Sequence, residues 1–165
     1  MKKDNGFTLV ELMITLVVVG ILVTIGIPSF QTLLQSSRMS TQSNEFVTGL
    51  NTARSEAVRR NESVRIEPLN GNDWEDGFVI PDPDDGAWDP DSEDQDPVRV
   101  FEAFGEGLTL SGFNGSITFL GDGSIDADGA LTFTLQPEGD CLGDMRREVT
   151  LSLSGATRME VLPCQ

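Results

Sequence analysis

The chain has 165 residues, a formal net charge of −16, and neither histidine nor tyrosine. So acidic a surface opposes general electrostatic attraction to nucleic acid or anionic lipid. Without histidine there is no Ser-His-Asp or Cys-His arrangement, no H-E-x-x-H and no Cys/His zinc site.

The first predicted element follows Lys2 and Lys3. From Phe7 to Ile27 the only charged residue is Glu11, among Leu, Val, Ile, Met, Gly and Thr. At about 1.5 Å per residue, a helix over this run is roughly 30 Å long, enough to cross a bilayer's hydrocarbon core. The two lysines hold the N-terminus in the cytoplasm and send the rest of the chain across. A cleaved secretory signal fits poorly. Its apolar region would be shorter, and small residues would follow it, whereas Pro28-Ser29-Phe30-Gln31 stands here.

A short basic leader, then Gly6-Phe7-Thr8-Leu9-Val10-Glu11-Leu12-Met13, then an apolar helix, resembles the type IV pilin and pseudopilin class of prepilins. The resemblance implies cleavage after Gly6 by a prepilin peptidase, methylation of the new amino terminus on Phe7, and a role for Glu11 in assembly. Energetics point the same way for Glu11. A carboxylate inside a membrane helix costs roughly 2.5–3.5 kcal/mol on insertion scales, so such a group usually has a partner. After cleavage, a neighbouring subunit's terminal amine would neutralise it inside a filament.

Pro28 sits where it can kink the helix without ending it. Beyond it Met39, Phe46, Leu50, Ala53 and Ala57 recur at three- and four-residue steps with one longer gap, opposite Gln42, Glu45, Asn51, Arg54, Glu56 and Arg59. One long, bent helix is predicted from about Thr8 to about Arg60, with Gly49 a weak point in it. Val64–Glu67 alternates as a strand does. Trp74 and Gly77–Ile80 follow as a second strand region. Residues 81–97 are rich in Asp and Pro, and are expected to be an extended, solvated loop. Their carboxylates are of the kind calcium takes, but counting back from Gly86 puts Pro81 and Pro83 where EF-hand ligands belong. No metal or cofactor is expected.

Strand-like pieces then return: Val98–Phe104, Leu108–Leu110, Ser116–Leu120, Leu131–Leu135, Glu148–Leu153 and Arg158–Leu162. Short strands joined by Gly and Asp turns, after one helix, indicate an α+β class with an antiparallel β domain. The only cysteines are Cys141 and Cys164. Outside the cytoplasm they are most simply a disulfide, the alternative being two free thiols.

Trp74 with Gly77-Phe78-Val79-Ile80, the Asp-rich loop, Val98-Arg99-Val100, Ile117–Gly123, and a closing unit of Arg146–Leu153, Ser154-Gly155 and Arg158 resemble the GspH/FimT group of minor pilins and pseudopilins. The resemblance implies a long helix packed on two small antiparallel sheets. It divides the chain into a leader (1–6), a membrane or filament-core helix (7–27), an amphipathic spine (28–60) and a periplasmic β domain (61–165). The implied role is structural: a minor pseudopilin of a type II secretion system, anchored once in the inner membrane. It would assemble with other pseudopilins after processing by the peptidase, and it is not an enzyme. The alternative is a FimT- or FimU-like minor type IV pilin, for pilus initiation or DNA uptake. In the DNA-binding subgroup the contact lies around a Gly-Arg-x-Arg unit. Here Ser154-Gly155-Ala156-Thr157-Arg158 retains one arginine, and Arg146 and Arg147 sit among Asp140, Asp144, Glu148 and Glu160. Phosphate binding scales with the cations engaged, so DNA binding is disfavoured.

Overall fold

The computed structural model describes residues 7–164 except 72, 87, 93, 106, 140 and 142. The leader, with Gly6, lies outside the described residues. Helix α1 spans Leu9–Arg60 and continues through position 28. By its contacts the chain divides after Ser36 into two units.

In the second unit, α1 ends for a visible reason. Asn61 takes a left-handed φ of 55°. The Glu62 N–H reaches the Ala57 carbonyl at 3.2 Å, and the Asn61 N–H reaches Val58 at 3.3 Å. This pair of bonds satisfies carbonyls the last turn would leave open. Arg59 and Arg60 in that turn suit the negative end of the helix dipole.

Eight strands follow: β1 Val64–Pro68, β2 Phe78–Ile80, β3 Arg99–Phe101, β4 Leu108–Gly112, β5 Ile117–Phe119, β6 Leu131–Pro137, β7 Arg146–Leu151 and β8 Thr157–Leu162. They form two antiparallel four-stranded sheets, ordered β3-β2-β1-β5 and β4-β6-β7-β8. Among the described residues a single α-helix precedes every strand, so the class is α+β.

The core forms where the apolar stripe of α1 meets both sheets. Met39, Phe46, Leu50, Ala53 and Ala57 are fully buried or nearly so. The longer gap in the stripe is filled by Ser43, also buried, whose hydroxyl donates to the Met39 carbonyl at 2.7 Å. A hydroxyl bonded to its own helix can lie in a core at little cost. Phe46 joins the two layers. Its ring meets Phe78 of β2 edge-on at 5.6 Å, Phe133 of β6 at 4.9 Å and Trp74 at 5.7 Å.

Two expectations are corrected and one is extended. Trp74 opens a 3₁₀ turn, Trp74–Asp76, instead of belonging to a strand. It is buried, so the apolar signal was real, but it anchors a turn. Gly49 is not a mere weakness in α1: a Cβ there would lie 2.4 Å from the Phe78 ring. Its missing side chain is what lets β2 approach the helix. The acidic segment 81–97 is not simply extended. It holds a 3₁₀ turn, Pro83–Asp85. Backbone N–H groups of Asp84, Asp91 and Asp96 donate to the carboxylates of Asp82, Asp89 and Asp85. The Trp88 N–H donates to Glu67 at 2.9 Å. Short acidic side chains folding the backbone onto themselves outweigh their mutual repulsion here.

Candidate assembly surface

The N-terminal unit is built around Thr8 and Glu11. Thr8 precedes the first helical residue, and its Oγ1 accepts the Glu11 N–H at 3.2 Å. Glu11 Oε2 in return accepts the Thr8 N–H at 3.0 Å and the Thr8 hydroxyl at 2.9 Å. This is a reciprocal capping box, which satisfies donors that a helix start leaves open. The Thr-x-x-Glu spacing carries that signal in the sequence, and Thr8 is the residue missed when Glu11 was read alone. Among the described residues Glu11 Oε1 accepts no hydrogen bond.

Every large apolar side chain from Phe7 to Leu34 is exposed, Phe7 by 76%. This part of α1 is long and apolar enough to cross a membrane, and none of its most apolar window is buried within the chain. Its hydroxyls are turned inward. Thr15 donates to the Leu12 carbonyl, Thr24 to Gly20 and Ile21, and Ser29 to Ile25. In lipid or a helical bundle, where water is absent, each hydroxyl therefore needs no outside partner.

In the second unit, Arg54 of α1 reaches two turns at once. Its Nε donates to the Gly123 carbonyl and its Nη2 to the Ser154 carbonyl, both at 3.0 Å. The two turns also touch each other. A Cβ on Gly155, whose φ is +72°, would lie 2.0 Å from the Gly123 oxygen. Gly121–Gly123 and Ser154-Gly155, far apart in the chain, thus meet under one guanidinium. Arg54 read as a solvent-facing charge in the helix pattern, because its partners are backbone carbonyls that no sequence period reveals.

Arg60 clamps the acidic segment. It forks onto Asp82 at 3.0 and 3.1 Å and donates through Nε to Glu56 at 2.9 Å. Glu56 also accepts from Arg59. Hydrogen bonds from Arg59 and then Arg60 lower the Glu56 pKa to about 2. The Arg60 bond, then the Asp84 N–H, lower that of Asp82.

Cys141 and Cys164 are joined in a disulfide, with Cα atoms 5.5 Å apart. It ties the end of β8 to the segment before β7, beside a bond from the Cys164 N–H to Gly143 at 3.0 Å. The three candidate arginines do not form one patch. Arg146 and Arg147 are adjacent on β7 and so face opposite sides of the sheet. Arg147 is buried, and its Nη1 donates to the carbonyls of Asp144 and Arg146. Arg158 shares a face with Arg146, but Glu148 and Glu160, paired with each other across the strands, lie between them. Arg158 is bound to Glu160 at 2.7 Å.

Residues 42–156 match the model of a family described as type II transport protein GspH. The chain belongs to the GspH family. Residues 1–27 of this GspH-family chain also match the prokaryotic N-terminal methylation motif. A type IV major alpha-pilin of Moraxella bovis is 39% identical over 49 residues, which is 30% of this chain and 31% of that protein. The chain therefore matches only about a third of that curated relative's length. Among solved structures, the type IV minor pilin FimU of Pseudomonas aeruginosa is 25% identical. The likeness covers 75% of this chain and 89% of FimU, with a TM-score of 0.61. The minor pseudopilin EpsH from the type 2 secretion system of Vibrio cholerae shares the fold at 16% identity, 75% and 97% coverage and a TM-score of 0.53. Family and fold together make this chain a pilin-like subunit of the minor pilin and pseudopilin kind.

Proposed function

We propose that this chain is a minor pseudopilin of a type II secretion system: a structural subunit, not an enzyme, held in the inner membrane with its β domain in the periplasm. The observation that carries the reading is the exposure of every large apolar side chain described from Phe7 to Leu34. Such a surface needs lipid before assembly and neighbouring helices after it. The family description, a type II transport protein, supports secretion over other filaments.

In this reading a prepilin peptidase cuts after Gly6 and Phe7 becomes the methylated terminus. The capping box holds Glu11 Oε2 within its own chain, which lowers the cost of carrying the acid in lipid before assembly. Oε1 is left for the amine of a neighbouring subunit. Gly6→Leu should leave an uncut precursor, visible as a larger species on a gel. Glu11→Ala should be cut and membrane-bound but recruited poorly into filaments. Normal recruitment of Glu11→Ala would refute the charge-pairing role.

A FimU-like minor type IV pilin is the second reading, favoured by the greater identity and TM-score of FimU. Deleting the gene separates the two. Loss of secreted proteins with surface pili intact supports the pseudopilin, and the reverse supports the pilin. DNA uptake is the less supported role, because Arg147 is buried and Glu148 and Glu160 interrupt the other two arginines. Tight, salt-sensitive gel shifts at low salt would overturn that judgement.

A further inference from the structure

We propose that the groove between the acidic segment 81–97 and the outer face of β1 and β5 binds a short, neutral saccharide. The proposal goes beyond the assembly role and does not depend on which filament the chain enters.

On β1, Val64, Ile66 and Pro68 are buried, which turns Arg65 and Glu67 to the opposite face of the sheet. Arg65 stands opposite Thr118 of β5. The acidic segment crosses this face and is pinned at two points. Arg60 forks onto Asp82, and Glu67 Oε1 accepts the Trp88 N–H. Two cavities lie between the segment and the strands, and both include Ser116. One, of about 480 Å³, is lined by Glu67, Leu69, Asn70, Trp88 and Pro90 among others. The other, of about 290 Å³, is lined by Ser63, Arg65, Asp82 and Thr118 among others. The larger falls in the size range of small-molecule sites, and walls fixed beforehand lower the cost of binding.

The groove carries polar groups that the chain leaves open. Arg65 makes no hydrogen bond to a described residue. Glu67 Oε2 stands 3.6 Å from its Nη1, an ion pair too long for one. The hydroxyls of Ser116 and Thr118 have no partner among the described residues. Asn70 donates its amide to Asp76, which leaves its Oδ1 free to accept.

These groups select the ligand. An apolar molecule would cover them without pairing them, at a cost. An anion would be repelled by the carboxylates of Asp82, Asp84, Asp85 and Asp89. An extended peptide would need the edge of β5, which Ile125 meets and where the Asp126 N–H already donates to Thr118 at 2.9 Å. No group of three metal-ligating side chains exists among the described residues. A sugar hydroxyl both donates and accepts. Adjacent hydroxyls therefore suit Glu67 Oε2 and the Arg65 guanidinium together, and the C–H side of the ring suits the apolar body of Trp88.

The test uses the full chain in zwitterionic detergent micelles without sugar headgroups. Maltotriose, mannotriose and chitotriose are titrated separately and followed by ligand-observed NMR. Saturable, millimolar binding of at least one of them is expected. Arg65→Met should weaken it about tenfold by removing a charged hydrogen bond. Ser116→Leu fills the space shared by the two cavities and should abolish it. Ser116 is exposed and its hydroxyl bonds no described residue, so the thermal melt of Ser116→Leu should hold. Arg158→Met, on the other sheet, should bind as the native chain does. No saturable binding of any of the three, binding indifferent to Arg65→Met and Ser116→Leu, or tighter binding of the anionic trigalacturonate would each overturn the proposal.

Discussion

Replacing Gly49 by alanine should destabilise the β domain, although alanine is the better helix former. Propensity alone favours the change by about 1 kcal/mol. The added methyl, however, would lie 2.4 Å from Cε2 and 3.0 Å from Cζ of Phe78. Phe78 is fully buried, stacked on Phe101 at 4.5 Å and held edge-on by Phe46. The rings of Phe46, Trp74, Phe101 and Phe104 surround it, so relieving the contact requires the ring, β2 or the helix to shift against them. Overpacking of this kind costs about 1–3 kcal/mol. The closeness of the contact puts it near the upper end, for a net loss of about 1–2 kcal/mol. Trp74, buried against Phe46 and Phe78, should report the transition by fluorescence in a denaturant titration of the full chain in detergent. Asn51→Ala, at an exposed site two residues on, should instead be neutral or slightly stabilising. Adding Phe78→Leu to Gly49→Ala should cost less than the sum of the two single changes, because the smaller side chain makes room for the methyl. A Gly49→Ala chain as stable as the original, or more so, would refute the packing account.

Acid should loosen the acidic segment from α1. Glu56, lowered from 4.5 to about 2, contributes stability that is fully present above 4.5 and is lost as pH falls through about 2. Asp82, also lowered, acts in the same direction. Unfolding midpoints followed from pH 6 to pH 2 should fall more steeply for the native chain than for Arg60→Gln, and parallel curves would count against the clamp. Replacing Cys141 and Cys164 together by serine removes a link between residues 23 apart, at a cost of about 3 kcal/mol in unfolding free energy. A loss well under 1 kcal/mol would mean that the Cys164–Gly143 bond and the β7–β8 ladder hold the C-terminus without it.

The sequence by itself determined the elements whose physics is local. A run of 21 residues from Phe7 to Ile27 with one charge can only be a helix in an apolar setting. Alternation in Val64–Glu67, Leu131–Leu135 and Glu148–Leu153 likewise announced strands, the last of which runs over Arg146–Leu151, and the long helix appeared within a residue of its expected ends. What needed the tertiary structure were residues whose roles depend on distant partners. Gly49 could be read as a defect until Phe78 of β2 was seen against it. Ser43 broke an apolar stripe until its hydroxyl was seen bonded to Met39. Arg54 resembled a surface charge until its two carbonyl partners, 69 and 100 residues away, were in place. Hydrophobic period and turn chemistry act between neighbours in the chain and are written there. The space left by an absent side chain, and the free lone pair of a backbone carbonyl, exist only once two remote segments have come together.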